Sequence, residues 1–336
     1  MAAGGAGPGR RGGAMSEPLF LFSLPRAGST LTQRLLAAHP AICSTAEPWI
    51  LLSLFHALDK ASFAEYNATA ARRAVSEFCA ELPGGAAQYR AEAARMAARL
   101  YNAAAEDGAR YFLDKTPRYA LIAEEILAAF PEARILLLWR NPLAVAASMI
   151  RSFSAGCWNL HHFHVDLFEG LDSLCRVYSR HPERFHVLRY EDLVRNCAAT
   201  LRPVFAYLDL PDDPGVADRF GAVRFAGSMG DKTGTRAYAD VTCARRETWP
   251  EVFATPLRRR WARRYLNWLG EERLALMGYS QSALRAALEA EPMRLRHIAP
   301  DVARMAYGAL DRRLNLTVLR ARRAERAGGA PLFPLS

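Results

Sequence analysis

The stretch Leu19–Thr30 decides the fold: it reads LFLFSLPRAGST. Its first six residues form an apolar run that ends at Pro25, which is typical of a buried strand. The next six have the composition of a turn, and Leu31–Ala38 is predicted to be a helix that ends before Pro40. A buried strand that leads through a short loop into a helix is the repeating unit of α/β proteins. The opening of the chain therefore predicts a parallel sheet.

Short apolar segments recur along the chain and alternate with helical patterns. Further strands are predicted at Ala41–Cys43, Tyr111–Leu113, Arg134–Trp139 and Phe185–Arg189. Strands that alternate with helices favour parallel pairing. The expected fold class is α/β in three layers, with a central parallel sheet flanked by helices.

Composition divides the chain into a main domain and two ends. Residues 1–17 are rich in Gly and Ala and are expected to be a flexible tail; 18–280 are expected to form the main domain, and 281–336 a basic helical extension. An Ala-, Glu- and Arg-rich stretch at about 60–108 predicts a helical insertion. The tail lacks the apolar region of a secretory signal, so a cytoplasmic location is expected, and either Met1 or Met15 is left open as the start.

Charge and composition exclude several classes of protein. The 336 residues carry 44 Lys and Arg against 34 Asp and Glu, a formal net charge of +10, and 51% are apolar. That apolar content argues against a disordered chain, and the sequence has no apolar run of the roughly 18 residues that a membrane span needs. Sixteen Arg, no Lys and seven acids lie between Arg258 and Ser336, so nine of the ten charge units fall there. The six cysteines have no C-x-x-C spacing and are expected to be reduced thiols.

The loop after the first strand has the residues of a phosphate cradle. Gly28 allows backbone N–H groups to approach an anion closely, and Ser29 and Thr30 add hydroxyl groups. The helix that follows points its positive end at the same place, and Arg26 supplies a full charge. The G-x-x-x-x-G-K-[ST] pattern of a Walker A loop is absent. The alternative interpretation is a plain strand–helix turn with a serine cap.

This loop resembles the 5′-phosphosulfate loop of the sulfotransferases that use 3′-phosphoadenosine 5′-phosphosulfate (PAPS), which reads P-[KR]-[SA]-G-[ST]-T. Their 3′-phosphate site is an Arg at a strand end and a Ser eight residues later, matched here by Arg140 and Ser148. The stretch Arg189–Leu193, RYEDL, resembles a later strand end of the family. The resemblance runs from about Phe20 to Tyr279. It implies a P-loop NTPase-like fold, PAPS as co-substrate, adenosine 3′,5′-bisphosphate as product and no required metal.

The resemblance also implies the residues that bind the co-substrate, which lie in four loops. They are Arg26, Ala27, Gly28, Ser29, Thr30, Leu31, Arg140, Ser148, Tyr190 and Lys232. Ala27 departs from the serine common at its position, which removes one hydroxyl group. An aromatic ring, Trp49 or Trp249, is expected to stack on the adenine, although both are equally suited to the core.

The tyrosylprotein branch of the family supplies the expected catalytic residues. A glutamate at the spacing of Glu47 is the base in that branch, and Lys115 matches its lysine after the next strand. Lys115 is informative because the chain has only three lysines against forty-one arginines. Lys115 and Arg26 are assigned to stabilising the sulfuryl oxygens and the leaving phosphate.

Competing interpretations of these residues stay open. Glu47 could be a cap or a surface acid, and Lys115 could be an ion-pair partner of Asp114 or Glu124. The cytosolic branch of the family uses a histidine base, for which His39 and His56 are candidates. His39 precedes Pro40 at a helix end and is better explained as a helix cap.

The acceptor is not specified by the sequence: a small molecule, a glycan, a lipid or a peptide all fit. A nucleotide kinase is one alternative function, and a non-enzymatic nucleic-acid or membrane-surface binder that uses the basic C-terminus is another. No nucleic-acid-binding motif is visible, so a nucleic-acid partner is not expected. A homodimer stays open.

Overall fold

A computed structural model describes residues 16–55, 68–153, 156–225 and 248–314. Within these ranges the chain forms one five-stranded sheet in which every pairing is parallel. The strand order is β2-β3-β1-β4-β5. The strands are β1 Glu17–Phe22, β2 Ile42–Ser44, β3 Tyr111–Asp114, β4 Arg134–Trp139 and β5 Phe185–Arg189. The predicted α/β class and the five predicted strands are confirmed, with shifts of one or two residues at the ends of the first three.

The central strand β1 is buried on both faces of the sheet. Leu19, Phe20, Leu21 and Phe22 are each at most 1% exposed. A strand covered on both faces reads as a continuous apolar run rather than an alternating one, which is the pattern of its sequence. Strand β3 pairs with β1 from the position where Tyr111 lies opposite Glu17. Strand β4 pairs with β1 from the position where Arg134 lies opposite Leu19. The carboxyl ends of β1, β3 and β4 therefore open at the same edge of the sheet.

Helices cover the sheet and extend beyond it. They are α1 Ser29–Leu36, α2 Ile50–Phe55, α3 Ala68–Glu81, α4 Gly85–Ala104, α5 Ala123–Ala129, α6 Pro142–Phe153, α7 Leu171–Arg180, α8 Tyr190–Arg195, α9 Cys197–Tyr207, α10 Val216–Arg219, α11 Trp249–Val252, α12 Pro256–Leu276, α13 Gln281–Ala290 and α14 Ile298–Leu314. Short 3-10 turns cover Pro117–Ile122, Leu160–Phe163, Pro182–Arg184 and Phe220–Ala222, and a π-helical turn covers Val165–Gly170.

Two helix starts differ from the sequence-based expectation. Helix α1 begins at Ser29 rather than Leu31, because Gly28 adopts a left-handed conformation (φ 96°) that turns the chain directly into the helix. The helix expected after Pro117 begins instead as a 3-10 turn and becomes α-helical only at Ala123. The helical insertion is present as α3 and α4, separated at residues 82–84.

A buried ion pair joins two helices of the chain after α11. Arg258 Nε lies 2.6 Å from Asp301 Oδ2, and the two side chains are 4% and 0% exposed. Helix α14 is held to α12 by this pair, because a buried charge needs its partner. Whether residue 280 is a true domain boundary stays a prediction. None of the helices in the described residues is long and apolar enough to cross a membrane.

Candidate functional site

The loop between β1 and α1 is shaped by one glycine. A Cβ atom on Gly28 would lie 2.3 Å from Cδ2 of Tyr190, at the start of α8. Only glycine fits there, both for this close approach and for the φ of 96°. The Tyr190 ring therefore packs directly on the loop backbone and leaves the opposite side of the loop facing an open cleft.

Arg26 reaches from this loop to the middle and the last turn of α6. Its Nε donates to Ser148 Oγ at 3.3 Å, and its Nη2 donates to Ser152 Oγ at 2.9 Å. Arg26 itself has a positive φ of 66°, which aims its side chain across the cleft. The structure thus brings together Arg26 and Ser148, which the sequence assigned to opposite ends of the nucleotide. Ser152 was missed, although it lies one helical turn after Ser148.

Arg140 forms the second cationic corner of the cleft. It follows β4, and its Nη1 donates to the carbonyl oxygen of Arg26 at 2.9 Å. Its guanidinium carbon lies 4.1 Å from the centroid of the Tyr190 ring, a cation–π contact. Its Nε is buried and has no hydrogen-bond acceptor among the described residues. A buried donor without an acceptor is costly, so this atom marks a place where a ligand oxygen fits.

The turn that carries Arg140 is braced by Glu191. Its Oε1 accepts from the backbone N–H of Asn141 at 3.0 Å, and its Oε2 accepts from the Tyr279 hydroxyl at 2.6 Å. The Asn141 side chain in turn accepts from the amides of Leu143 and Ala144 at the start of α6. The family-like RYEDL stretch therefore contributes a brace in addition to Tyr190.

Glu47 lines the cleft at its rim, and Lys115, which is not among the lining residues, forms a buried ion pair with it. Lys115 Nζ lies 2.6 Å from Glu47 Oε1, and the side chains are 2% and 4% exposed. The indole N–H of Trp49 donates to the other carboxylate oxygen at 3.2 Å. Lys115 thus pairs with Glu47 rather than with Asp114 or Glu124. Glu47 is neither a helix cap nor a surface acid in this arrangement.

A glutamine on α1 fixes the loop that carries Glu47. Gln33 Nε2 donates to Ser44 Oγ at 2.8 Å and to the Thr45 carbonyl at 2.7 Å. The Ser44 hydroxyl donates in turn to the Leu113 carbonyl at 2.7 Å. Gln33 is 1% exposed, so this brace lies inside the protein. Sequence reasoning missed it, although a polar residue on the buried side of α1 was a signal.

Asp114, directly before Lys115, is the centre of a buried hydrogen-bond network. Its carboxylate accepts from the hydroxyls of Tyr101 at 2.6 Å, Tyr119 at 2.9 Å and Thr116 at 3.0 Å. The Tyr119 hydroxyl also accepts from the backbone N–H of Leu51 at 3.2 Å, in the first turn of α2 after Glu47. Burial raises the pKa of Asp114 to about 6, against the hydrogen bonds and the Lys115 charge, which act to lower it.

The cleft gathers most of the residues that the sequence singled out. It has an empty volume of about 470 Å³, which includes space open to solvent. Its lining residues are Pro25, Arg26, Gly28, Ser29, Thr30, Leu31, Glu47, Pro117, Arg140 and Ser148. Ala27 is 1% exposed and packs in the core beneath the loop.

The remaining candidates lie elsewhere. Lys232 and His56 fall outside the described residues. His39 is buried: its Nδ1 accepts from the Ala41 N–H at 3.1 Å and its Nε2 lies 3.3 Å from the Pro211 carbonyl, so it holds a turn. Trp249 is 2% exposed and packs in the core. Trp49 binds Glu47 through its indole N–H.

Several curated proteins match part of the chain, among them a nodulation protein and a sulfotransferase. It is 38% identical over 130 residues to the nodulation protein NoeE of Sinorhizobium fredii, covering 39% of this chain and 30% of that protein. It is 29% identical over 113 residues to the omega-hydroxy-beta-dihydromenaquinone-9 sulfotransferase Stf3 of Mycobacterium tuberculosis, covering 29% of this chain and 28% of that protein. The matched part spans less than a third of each of these relatives.

Solved sulfotransferase structures also resemble the chain. The sulfotransferase domain of the Synechococcus PCC 7002 olefin synthase gives a TM-score of 0.48 at 21% identity, covering 72% of this chain and 90% of that domain. Mouse sulfotransferase SULT7A1, solved in complex with PAP (adenosine 3′,5′-bisphosphate), gives a TM-score of 0.42 at 14% identity, covering 82% of this chain and 88% of that one. The model of the sulfotransferase family matches residues 18–214, more than half of the chain. The cleft described above thus lies in a protein that belongs to the sulfotransferase family.

Proposed function

We propose that the protein transfers the sulfuryl group of PAPS to an acceptor hydroxyl or amine. The observation that carries this proposal is the cleft itself: two arginines flank a glycine-shaped loop, and a buried glutamate–lysine pair lies at its rim. PAPS has a 5′-phosphosulfate and a 3′-phosphate, so it needs two separate anion sites. The helix start at Ser29–Leu31 with Arg26 suits the first group, and Arg140 with Ser148 suits the second.

Two features of the cleft suit such a nucleotide. The buried Arg140 Nε has no acceptor among the described residues, and an oxygen of the 3′-phosphate would supply one. The loop backbone at Gly28 is free of a side chain, so its neighbouring amides can approach a phosphosulfate oxygen closely. Arg26 donates to the hydroxyls of Ser148 and Ser152, and these hydroxyls would share it with the incoming anion.

Glu47 is proposed as the general base. In the transfer, the acceptor oxygen or nitrogen forms a bond to sulfur while the bond from sulfur to the 5′-phosphate oxygen breaks. The acceptor proton passes to the Glu47 carboxylate, and adenosine 3′,5′-bisphosphate leaves. Glu47 lines the cleft, and its two oxygens are oriented by Lys115 and Trp49, which is the arrangement a positioned base requires.

Lys115 is proposed to act on both partners of the reaction. An ammonium group has three N–H donors, and in the structure one of them is used by Glu47. A second donor can contact a sulfuryl oxygen without breaking the pair, and the positive charge then stabilises the leaving group. These residues need no metal for this chemistry, and turnover unchanged by a chelator is expected. The acceptor stays open among small molecules, glycans, lipids and peptides.

The experiment is a transfer assay with ³⁵S-labelled PAPS and pools of each acceptor class, together with thermal denaturation in adenosine 3′,5′-bisphosphate (PAP). We expect PAP to raise the melting temperature and label to appear in one acceptor class. No stabilisation by PAP and no transfer to any pool would overturn the proposal. Stabilisation by ATP only with Mg²⁺ would instead support a nucleotide kinase.

A further inference from the structure

The C-terminal helix α14 presents an apolar face to solvent. Val302, Leu310 and Leu314 are 50%, 49% and 54% exposed. The exposed uncharged residues of this helix are Ile298, Ala299, Pro300, Val302, Ala303, Ala306, Ala309, Leu310 and Leu314. Arg304 and Arg313 are the exposed charged residues among those of α14 whose burial is described, and no acid is exposed there. A surface helix ordinarily has the reverse arrangement, with its charged face outward.

The orientation of α14 is fixed from its inner side. Asp301 is 0% exposed, binds Arg258 in a bidentate pair at 2.6 and 2.9 Å, and accepts from the Trp158 backbone N–H at 3.1 Å. Two turns later, a Cβ on Gly308 would lie 2.5 Å from Cβ of His161. Rotating the helix to bury its apolar side would expose a buried ion pair and bring a residue with a side chain against His161, where only a glycine fits. The outward apolar face is therefore imposed by the packing.

The exposed side chains continue into the segment before the helix. Leu295 is 78% exposed, so we define the apolar C-terminal face as Leu295, Ile298, Val302, Leu310 and Leu314. Exposed arginines Arg296, Arg304 and Arg313 lie among these residues in the chain. Residues 292–336 contain nine Arg and three acids, a net of 9 − 3 = +6. One of those acids, Asp301, is already neutralised by Arg258.

We propose that the apolar C-terminal face docks on an anionic lipid surface. An apolar helix face with arginines beside it binds the interface between lipid headgroups and acyl chains, where apolar side chains leave water and arginines meet anionic headgroups. A second copy of the chain would set one basic surface against another, and residues 315–336 carry four further Arg and one acid. Like charges at an interface are costly. Docking of a second copy on this face and docking of residues 315–336 of the same chain are therefore both disfavoured. The proposal does not depend on sulfuryl transfer.

The test is flotation of the full chain with phosphatidylcholine vesicles, with and without about one third phosphatidylserine. We expect binding to be at least about tenfold stronger to the anionic vesicles, and to fall when ionic strength rises from about 0.05 to about 0.5 M. Binding to neither vesicle, or equal binding to both, would overturn the proposal.

Variants locate the contact. Val302→Glu with Leu310→Glu is expected to lower binding to anionic vesicles at least about tenfold, since both side chains then resist leaving water. The matched control is Met96→Glu with Leu100→Glu on α4, where the residues are 43% and 47% exposed; its binding is expected to equal that of the native chain. A cooperative thermal unfolding transition near the native midpoint verifies that both double variants are folded. Loss of binding in the control, or none in the α14 variant, would contradict the assignment.

Two measurements distinguish the other occupants. Val302→Trp adds a tryptophan to this face. Its emission, measured as the difference from the native chain, is expected to shift to shorter wavelength only with anionic vesicles. A shift already present without vesicles would mean that the chain covers its own face, and the proposal would fail. Light scattering is expected to give the same mass for the native chain and for Val302→Glu with Leu310→Glu; a dimer that becomes a monomer in the variant would assign the face to a second copy instead.

Discussion

The cations in the two halves of the cleft have different partners. We call the half with Arg26, Gly28 and Arg140 the cradle, and the half with Glu47 and Lys115 the rim. At the cradle, Arg140 contacts a carbonyl oxygen and an aromatic ring, and Arg26 contacts two serine hydroxyls. At the rim, Lys115 contacts a carboxylate 2.6 Å away, out of solvent. The carbonyl oxygen and the ring that contact Arg140 do not neutralise its charge, whereas a buried ion pair is close to neutral as a unit. The difference supports the proposal that the cradle binds the ligand and that the rim transfers the proton.

The largest expected effect is at the rim. Glu47→Gln removes the proposed base, so turnover is expected to fall by about 10²–10⁴-fold, the usual contribution of general base catalysis. PAP affinity, measured by calorimetry, is expected to stay within about threefold, because the cradle does not use the carboxylate. The matched control is Glu124→Gln, which changes a 49% exposed glutamate and should leave both quantities unchanged. Loss of PAP binding in step with turnover would remove the distinction between the two halves.

The next effect is on stability, because Asp114 makes the free energy of unfolding depend on pH. Its folded-state pKa of about 6 lies above its ordinary 3.8, so the folded protein binds the proton more tightly than the unfolded chain. The resulting stabilisation is complete below the ordinary pKa and is lost as pH rises through about 6. The loss is on the order of 3 kcal/mol, since one pKa unit corresponds to ~1.4 kcal/mol.

Urea unfolding of the native chain and of Asp114→Asn between about pH 4 and 7 measures this contribution. The stability of the variant relative to the native chain is expected to rise with pH across that range. Asp107→Asn, an exposed aspartate in the loop before β3, serves as the control and should show no such trend. A constant difference between Asp114→Asn and the native chain would show that burial does not shift this carboxyl.

A smaller effect is expected at the cradle. Gly28→Ala and Gly108→Ala both place an alanine at positive φ, 96° and 87°, which costs roughly 1–2 kcal/mol each. Only the Gly28 change meets a neighbour, the Tyr190 ring, while nothing lies within 4 Å of a Cβ at Gly108. PAP affinity is expected to fall about tenfold or more in Gly28→Ala alone. Equal affinities in the two variants would mean that the loop shape does not matter for the ligand.

The smallest effect is at Tyr119, which joins Asp114 to the Leu51 amide after Glu47. Tyr119→Phe removes both hydrogen bonds and is expected to cost about 1–3 kcal/mol of stability, with a lower kcat and an unchanged PAP affinity. Tyr207→Phe is the control, because its hydroxyl likewise accepts from a backbone N–H, that of Ile135, but away from the cleft. If both variants lost stability and neither lost turnover, the network would be structural only.

The sheet and the cradle could be predicted because they depend on local patterns. Apolar runs gave the strands, and the carboxyl ends of neighbouring parallel strands meet at one edge, so Arg26, Arg140 and Glu47 had to come close together. The partner of Lys115 was not predictable with the same certainty, since Asp114, Glu124 and Glu47 all had suitable charge.

Other contacts depend on three-dimensional details that the sequence does not encode locally. The path of Arg26 to Ser152 and the contact of Trp49 with Glu47 follow positive φ angles of 66° and 55° at these two residues. The raised pKa of Asp114 depends on burial, which outweighs the hydrogen bond from Tyr101 of the insertion helix α4 that acts to lower it. Helical periodicity likewise predicts that α14 has an apolar side, but the pairing of Asp301 with Arg258 decides which side faces solvent.

The most direct test of the central claim is the affinity of the native chain and of Arg140→Ala for two nucleotides, PAP and adenosine 5′-monophosphate, which differ only in the 3′-phosphate. The native chain is expected to prefer PAP by roughly 10–100-fold, the worth of a charge-assisted hydrogen bond, and Arg140→Ala to lose that preference. Arg134→Ala, at the other end of β4, should keep it. An equal preference for PAP in Arg140→Ala and the native chain would contradict the assignment of the cradle to a nucleotide with phosphates at both ends.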